Sequence, residues 1–331
     1  MDGVSIDLGT ANTVVWHTET GMLLDEPTVM ALRLDGGRRP TFVGLGREAE
    51  ALVGRAPDDL EVIRPLEDGV ITDLETTRRF LRQVLHQVAP GWWQRRRLSA
   101  VIGVPIGATA LQRRALLEAA EEAGMGHAQL VPEPVAGAVG CGIDPLEPRT
   151  HMVVDVGGGT SEVAAFGSGG VLAYRSCPLA GAEMTVAVYQ YLRNEHQLVV
   201  GELVAEEVKV RASREPGPSL TVEGQDAATG RPRVVNLALE EIAEAVTPVV
   251  DEITQTLSSC LEDLPPQSVS DVMAEGVIAV GGGCLLPGFD KCLEDAFGFT
   301  PLLAERPLTC VAEGAARCLE QPEILTAYAV H

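Results

Sequence analysis

The sequence contains little lysine, few aromatic residues and no long apolar segment. Lys209 and Lys291 are its only lysines, and aromatic side chains make up 4% of its 331 residues. A core with so few rings must be built mainly from Val, Leu, Ile and Ala. No apolar run approaches the ~18 residues that a membrane-spanning helix needs, so the sequence predicts no such helix.

Low-complexity tracts, metal-binding cysteine spacings and a signal peptide are also missing. Gly and Pro are dispersed along the chain, which excludes fibrous and disordered architectures. The cysteines form no CxxC pair and lie mostly in apolar segments, as thiols in a reducing compartment do. They occupy positions 141, 177, 260, 284, 292, 310 and 318. Because the chain opens directly into an apolar strand, without a signal peptide, we expect a cytoplasmic protein.

Basic charge is scarce as well. The 47 acidic residues outnumber the 25 basic ones and give a net charge of −22. A field of this sign repels phosphate backbones, so direct DNA or RNA binding is disfavoured. The length and the 46% hydrophobic content suffice for two domains of ordinary size.

Short apolar runs alternate with helical periodicity along the chain. Strands are predicted at 4–8, 13–16, 22–34, 98–104, 152–156, 162–166, 171–176, 219–223 and 277–280. Helices are predicted at 76–88, 110–123 and 240–261. Thr109 and Gln112 have capping-box spacing before the second helix, and Pro248 predicts a kink in the third. This alternation predicts an α/β fold.

Two distant segments share one pattern, in which an apolar strand, an aspartate, a glycine turn and a second strand follow one another. The first reads SIDLGTANTVV at 5–15, and the second reads VVDVGGGTSEVA at 153–164. Repetition of this unit predicts two related halves. We expect each half to direct its glycine turn into a shared cleft.

The first turn, DLGTAN, has the composition of a phosphate-binding loop. Gly9 permits close backbone approach and a positive φ. Backbone N–H groups and the side chains of Thr10 and Asn12 can bind phosphate oxygens. Asp7, at the strand end, can hold the hydrated Mg²⁺ that accompanies a nucleotide. The alternative is an ordinary hairpin turn whose aspartate caps its own backbone.

The second turn is the stronger signal, because three glycines follow a strand that ends in an aspartate. Asp155 precedes Gly157, Gly158 and Gly159, which lack side chains and can expose their amides to an anion. Thr160 adds a hydroxyl group. A third glycine-rich strand exit, GGGCLL at 281–286, suits a flat base or ribose that packs against backbone.

Two charged positions allow both a functional and a structural interpretation. Glu133 lies between two prolines ahead of the small-residue segment 136–140, where it can position a water or act as a base. It can also simply favour a helix N-terminus. Glu206, Glu207 and Lys209 lie on a helix predicted to start near Gly201, and such a run is usually a solvated face. The rarity of lysine favours a role for Lys209.

With these residues in place, the sequence resembles bacterial actins of the MreB/Mbl type. The resemblance is collinear and covers nearly the whole chain. It rests on the segments DLGTANT, IRPLEDGVITD (63–73), VIGVPIG (101–107), EPVAGAVG (133–140), VVDVGGGTSEV (153–163), AEEVK (205–209), GGGCLLPG (281–288) and PLTCVAEGAA (307–316).

The resemblance implies an actin-like fold, with two ribonuclease-H-like α/β domains around a cleft that binds ATP with Mg²⁺. Domain I would comprise 1–140 and 307–331, with a small subdomain at about 30–70. Domain II would comprise 141–306, with a small subdomain at about 182–240. It further implies a slow ATPase coupled to self-polymerisation, and filaments at the inner face of the cytoplasmic membrane that scaffold the cell-wall synthesis proteins and cell shape.

The resemblance also assigns roles by position. The first phosphate loop would contain Asp7, Gly9, Thr10, Ala11 and Asn12, and the second Asp155, Gly157, Gly158, Gly159 and Thr160. Adenine and ribose would lie beside Glu206, Glu207, Val208 and Lys209, and beside the adenosine loop of Gly282, Gly283, Cys284 and Leu285. Catalysis would involve Glu133, Asp155 and Thr160, with Asp7 and Asp155 holding Mg²⁺ through water. Glu133 corresponds to the glutamate that orients the attacking water.

The sequence departs from the family pattern at two places near the expected phosphates. The family usually has Glu-Glu-Pro where this chain has Pro132-Glu133-Pro134. It usually has Gly-Asp-Glu-Met-Asp where this chain has GAEMT at 181–185. The loss of acidic side chains at Ala182 and Thr185 bears on the hydrolysis rate more than on binding.

Two other function classes share the phosphate loops. A small-molecule (sugar-type) kinase needs a catalytic aspartate base and polar sugar-contacting loops, and neither is identifiable in this sequence. A chaperone-type ATPase needs a large peptide-binding domain after the ATPase unit, which we do not expect here. The kinase remains the alternative.

The segment APGWWQRRR at 89–97 predicts a membrane contact. It holds Trp92 and Trp93 beside the only run of three basic residues. Tryptophan favours the bilayer interface, and arginines are attracted to anionic headgroups. The alternative is that one indole packs into the domain and that the arginines are solvated.

Overall fold

The computed structural model describes residues 3–34, 40–67, 69–71, 73–89, 91, 99–215 and 217–329. The strands within them are β1 (Gly3–Leu8), β2 (Asn12–His17), β3 (Gly21–Pro27), β4 (Met30–Arg33), β5 (Thr41–Leu45), β6 (Leu60–Ile63), β7 (Leu66–Glu67), β8 (Val70–Ile71), β9 (Ser99–Val104), β10 (His127–Pro132), β11 (His151–Val156), β12 (Ser161–Gly167), β13 (Gly170–Cys177), β14 (Leu198–Val199), β15 (Ser219–Asp226), β16 (Pro232–Ala238), β17 (Val277–Val280) and β18 (Leu302–Leu303). The helices are α1 (Arg47–Glu50), α2 (Leu74–Val88), α3 (Ala110–Ala123), α4 (Glu133–Gly140), α5 (Gly181–Glu195), α6 (Glu202–Arg214), α7 (Leu239–Glu262), α8 (Pro266–Glu275), α9 (Phe289–Phe297), α10 (Cys310–Glu320) and α11 (Pro322–Ala327), with a 3₁₀ turn at Gly282–Leu285.

Two five-stranded sheets of the same design form the centre of the molecule. The first has the order β10-β9-β1-β2-β3 and the second β13-β12-β11-β17-β18. In the first sheet, β1 pairs antiparallel with β2 and parallel with β9. In the second sheet, β11 pairs in the same way with β12 and β17. This equivalence confirms the two related halves that the repeated segments predict.

The helices α4 and α10 lie between the two sheets and close the core. Along β9, Val101 packs into the cluster that contains these helices, whereas Ile102 packs on the other face with α2 and α3, as the alternation of strand side chains requires. Val153 of β11 joins the same central cluster. The cleft ends of both sheets are therefore fixed to one shared apolar layer.

The predicted strand over 22–34 is wrong in its continuity. The structure divides it into β3, which ends at Pro27, and β4, which pairs with β5 and β6 in a separate sheet. Pro27 has no N–H to continue a ladder, and the Thr28 N–H donates to the carbonyl of Ala11 instead (2.8 Å). The chain leaves the first sheet at this point.

The other predicted elements agree with the structure to within a few residues. Among the helices in the described part of the chain, none is long and apolar enough to cross a membrane. Thr109 and Gln112 form the predicted capping box of α3. Pro248 lies inside a single helix, α7. The small sheets β5-β4-β6 and β14-β15-β16 fall within the ranges of the predicted small subdomains, and the domain boundaries stay a prediction.

Candidate functional site

A single cleft collects the three glycine-rich strand exits. The first two exits are hairpins of the same type, because the Gly9 N–H donates to the Asn12 carbonyl (3.1 Å) and the Gly157 N–H donates to the Thr160 carbonyl (3.0 Å). The cleft is lined, among others, by Asp7, Gly9, Thr10, Ala11, Asn12, Glu133, Asp155, Gly157, Gly158, Gly159, Thr160, Glu206, Lys209, Gly282, Gly283 and Leu285. Most of the residues predicted from sequence are thus brought together.

The two hairpins approach each other too closely for side chains. A Cβ atom on Gly158 would lie 2.6 Å from the Cβ of Ala11 and 2.8 Å from its nitrogen. Gly9 is a glycine for a similar reason, since its Cβ would lie 2.9 Å from the Asn12 carbonyl oxygen. Gly9 does not have the positive φ that the sequence predicts. Glycine is required in this hairpin because neighbouring atoms leave no room for a Cβ atom, and not because its φ is positive.

The third glycine turn packs directly behind the second hairpin. Gly281 has a φ of 85°, and a Cβ there would lie 2.6 Å from Oδ1 of Asp155. Strand β17, which leads into this turn, pairs in parallel with β11, so that Val280 lies beside Asp155. The carboxylate of Asp155 is therefore packed against the strand that leads into the third glycine turn.

The turn between β7 and β8 contacts the first two glycine hairpins, and the sequence analysis does not identify this contact. The Gly69 N–H donates to Oγ1 of Thr10 (2.9 Å). A Cβ on Gly69 would lie 2.8 Å from Cγ2 of Thr160, and its φ of 70° also favours glycine. Gly69 lies within the segment IRPLEDGVITD, which entered the resemblance without a site role.

Three carboxylates with raised pKa values line the cleft, those of Asp7, Glu133 and Asp155. Burial, followed by the charge of Asp155, raises the pKa of Asp7 to about 7, and burial raises the pKa of Asp155 to about 6. Burial, followed by the charge of Asp7, raises the pKa of Glu133 well above its usual value. Such crowding disfavours the ionised carboxylates, and a bound cation would offset this repulsion.

Glu162 is a further carboxylate close to Glu133, and the sequence analysis does not identify it. It is 1% exposed and accepts hydrogen bonds from the N–H groups of Ile106 (2.9 Å) and Gly107 (3.3 Å). Burial raises its pKa to about 7, although these hydrogen bonds oppose the rise. Its signal was a charged residue inside the otherwise apolar strand 162–166. It links β12 of the second sheet to the segment that follows β9 of the first.

The donor set fits a hydrated magnesium ion better than a metal held by protein alone. Within the described residues, no group of three or more His, Cys, Asp or Glu side chains could hold a metal ion. Mg²⁺ keeps most of its waters and uses one or two carboxylates together with phosphate oxygens. The carboxylates of Asp7 and Asp155 have hard oxygen atoms of the type that such an ion prefers.

Glu133 begins helix α4, so the helix starts earlier than the segment 136–140 suggested. Its N-cap is Pro132, and Pro134 occupies the first turn, where a missing N–H costs nothing. The side chain packs over Gly103, whose Cβ would lie 3.3 Å from Cγ of Glu133. The carboxylate therefore faces the cleft from the end of a rigid helix.

Lys209 is anchored to the start of helix α5. Its Nζ donates to the Gly181 carbonyl (2.7 Å) and to Oγ1 of Thr185 (2.9 Å), and it pairs with Glu206 (2.7 Å). Thr185, where the family usually has aspartate, also hydrogen bonds with Glu206. The Gly181 N–H in turn donates to the Gly157 carbonyl (3.1 Å), so this network supports the second hairpin.

Three residues expected at the adenosine side do not line the cleft. Glu207 is exposed, and its Oε1 lies 3.9 Å from Nη1 of Arg211 on the same helix. Val208 is 2% exposed and packs in the core. The Cys284 thiol is buried and donates to the Val280 carbonyl (3.0 Å). Helical periodicity explains the first two. The face of α6 that lines the cleft carries Glu206, Lys209, Val210, Ser213 and Arg214, and neither Glu207 nor Val208 lies on it.

Trp92 and Trp93 lie outside the described residues. The predicted membrane contact at 89–97 therefore stays a prediction.

Comparison with known proteins identifies the family. The family model described as MreB/Mbl protein matches residues 1–327. The cell shape-determining protein MreB of Escherichia coli (strain K12) is 38% identical over 322 residues, which cover 96% of this chain and 93% of that protein. The cell shape-determining protein Mbl of Bacillus subtilis (strain 168) is 34% identical over 327 residues, 97% of each chain.

Solved structures agree with the sequence comparison. The crystal structure of MreB5 of Spiroplasma citri bound to AMPPNP has a TM-score of 0.88 at 29% identity and covers 97% of this chain and 96% of that one. The MamK double helical filament has a TM-score of 0.78 at 23% identity, covers 96% and 99%, and supports the fold alone. The predicted actin-like fold is confirmed, and the chain belongs to the MreB/Mbl family.

Proposed function

We propose that this chain binds ATP with Mg²⁺ in the cleft and polymerises into filaments that scaffold cell-wall synthesis and cell shape. The observation that carries the proposal is the pair of matching glycine hairpins, at Gly9 and at Gly157, that face each other beside the half-buried Asp7 and the buried Asp155. Related proteins support it, since MreB5 of Spiroplasma citri is described bound to AMPPNP and to ADP. The curated relatives are named cell shape-determining proteins, which favours the filament-forming scaffold over the sugar-type kinase.

In this proposal the backbone amides of both hairpins bind the phosphates. Thr10 and Thr160 add hydroxyl groups, and Asp7 and Asp155 orient the waters of the Mg²⁺. The magnesium ion supplies neutralisation of phosphate charge when it is bound. Base and ribose lie against the glycine turn at 281–283 and against Glu206 and Lys209, which also line the cleft.

Hydrolysis in this proposal depends on Glu133. Burial and the charge of Asp7 raise the pKa of Glu133, so its ionised carboxylate is a stronger base than an ordinary one, and its position on α4 fixes its direction. The absence of acidic side chains at Ala182 and Thr185 leaves fewer groups to hold that water. We therefore expect weak ATPase activity that is coupled to assembly.

The filaments in this proposal lie at the inner face of the cytoplasmic membrane, in contact with proteins of cell-wall synthesis. Trp92 and Trp93 beside three arginines support the membrane contact. Co-sedimentation with anionic liposomes should fall in the double variant Trp92→Ala, Trp93→Ala while polymerisation persists. Equal liposome binding by both proteins would remove this segment from the role.

Titration with a fluorescent ATP analogue tests the site. Asp155→Asn keeps the size of the side chain but removes the charge that we assign to Mg²⁺, so its affinity in Mg²⁺ should fall by at least ~10-fold, the equivalent of about 1.4 kcal/mol. Asp58→Asn, at an exposed loop position, is the matched control and should bind as the wild type does. Equal affinity of all three proteins would refute the proposed site.

A further inference from the structure

A second cavity lies behind the central helices, away from the nucleotide cleft. Its lining includes Cys141, His151, Arg306, Cys310 and Arg317. Two of these side chains are thiols that come from residues far apart in the sequence. Nothing in the proposed nucleotide function uses them.

The two cysteines meet where helices α4 and α10 cross in backbone contact. A Cβ on Gly140 would collide with the Cys310 carbonyl and lie 3.1 Å from the Cα of Cys310. Cys141 is the next residue and the C-cap of α4, and Cys310 is the first residue of α10. A disulfide needs Cα atoms about 4.4–6.8 Å apart. Cys310 packs directly against Gly140, the residue before Cys141, and both thiols line the same cavity.

We propose that Cys141 and Cys310 form a redox modification site, at which a hydroperoxide converts the two thiols to a disulfide. Cys141 is exposed to solvent and Cys310 is buried. An oxidant therefore reaches Cys141 first, and Cys310 is positioned to resolve the product.

The surroundings favour the thiolate at Cys141. The Arg317 guanidinium donates to the Val139 carbonyl (3.0 Å), which places a positive charge at the end of α4, and the N-terminus of α10 adds its dipole. A hydrogen bond from Cys310, followed by the charge of Arg317, holds the pKa of Cys141 below its usual value, although burial and Glu313 oppose this. The same hydrogen bond, followed by burial, raises the pKa of Cys310.

The reaction balances with hydrogen peroxide as oxidant. The Cys141 thiolate attacks one peroxide oxygen, the O–O bond breaks, and the departing hydroxide takes a proton to become water. The Cys310 sulfur then attacks the sulfenic acid, the S–O bond breaks, and the hydroxyl leaves with the Cys310 proton as a second water. Two thiols lose two electrons in total, and the peroxide gains them.

The disulfide would join two elements that both support the nucleotide cleft. Helix α4 carries Glu133 at its other end, and the turn before α10 carries Pro307, whose carbonyl accepts from the N–H of Gly281 (2.9 Å). The bond would therefore fix the crossing of two elements that support the cleft.

Peptide mapping after oxidation tests this site in the full chain. The reduced protein is treated with hydrogen peroxide, free thiols are alkylated, and digestion without reductant is followed by mass spectrometry. We expect one dominant linked pair, Cys141 with Cys310, that disappears on treatment with dithiothreitol. Cys141→Ser should abolish it, whereas Cys292→Ser, at a half-buried cysteine away from this crossing, should leave it unchanged.

The readout needs no nucleotide, so its result is independent of the proposed ATP site. Oxidation of Cys141 to sulfinic acid without a linked peptide, or linkage of Cys310 to another cysteine as the main product, would overturn the proposal. Circular dichroism of each variant before oxidation confirms that the serine substitutions leave the fold intact.

Discussion

At the scale of single residues, the cleft is defined by carboxylates whose charge is not balanced inside the protein. Asp7, Asp155, Glu133 and Glu162 all have raised pKa values because they are buried near one another. Lys209 does not neutralise them, since it is committed to Glu206 and to the start of α5. A cation that binds together with the ligand would offset the repulsion among them.

Glu133 should affect turnover and not binding. Glu133→Ala removes the group that we expect to position water, so phosphate release should slow by ~10²-fold while ATP affinity stays within a few fold. Single-turnover phosphate release and analogue titration measure the two effects separately. Glu118→Ala, at a surface glutamate paired with Arg114, is the control. Unchanged turnover in the Glu133 variant would remove this residue from the role.

Glu162 should affect stability. Glu162→Ala leaves the N–H groups of Ile106 and Gly107 without their acceptor, and a buried unsatisfied donor costs about 1–3 kcal/mol. Glu162→Gln keeps one acceptor oxygen and should retain more of the stability. Urea unfolding of the three proteins measures the difference. If the alanine variant is as stable as the wild type, this carboxylate does not link the two halves.

At the scale of elements, the fold repeats one hairpin and places its two copies face to face. The strand exits at Asp7 and Asp155 could be predicted from sequence because apolar strand, aspartate and glycine are local signals. The roles of Gly69 and Glu162 could not be predicted in this way. Gly69 contacts Thr10 and Glu162 contacts Ile106, and both partners lie more than fifty positions away along the chain. The break at Pro27 was missed because β3 and β4 are separated only by Thr28 and Val29.

The contact between the two hairpins should be sensitive to one methyl group. Gly158→Ala places a Cβ 2.6 Å from that of Ala11, so the hairpins must separate and ATP affinity should fall by ~10-fold or more, about 1.4 kcal/mol. Gly201→Ala is the matched control, because Gly201 has a φ of −84° and no atoms near its Cβ position. The same analogue titration compares them. Equal loss in both variants would mean that the hairpin contact is not specific.

At the scale of the whole molecule, assembly must overcome repulsion between subunits that each carry a charge of −22. Added salt screens this repulsion, as the Debye length falls to about 8 Å near physiological ionic strength. Pelleting with ATP should therefore increase with salt up to a few tenths molar. A steady decrease over this range would indicate that subunit contacts depend on ion pairs instead.

Sedimentation with negative-stain electron microscopy, with and without ATP and Mg²⁺, tests the central claim most directly. We expect filaments and pelleted protein with Mg²⁺-ATP, little of either without nucleotide, and a shift toward the supernatant for Gly158→Ala under the same conditions. Unassembled protein in every condition, with ATP turnover that a sugar stimulates, would contradict the account and favour the kinase. Equal pelleting with and without nucleotide would contradict it as well, because assembly would then be independent of the cleft.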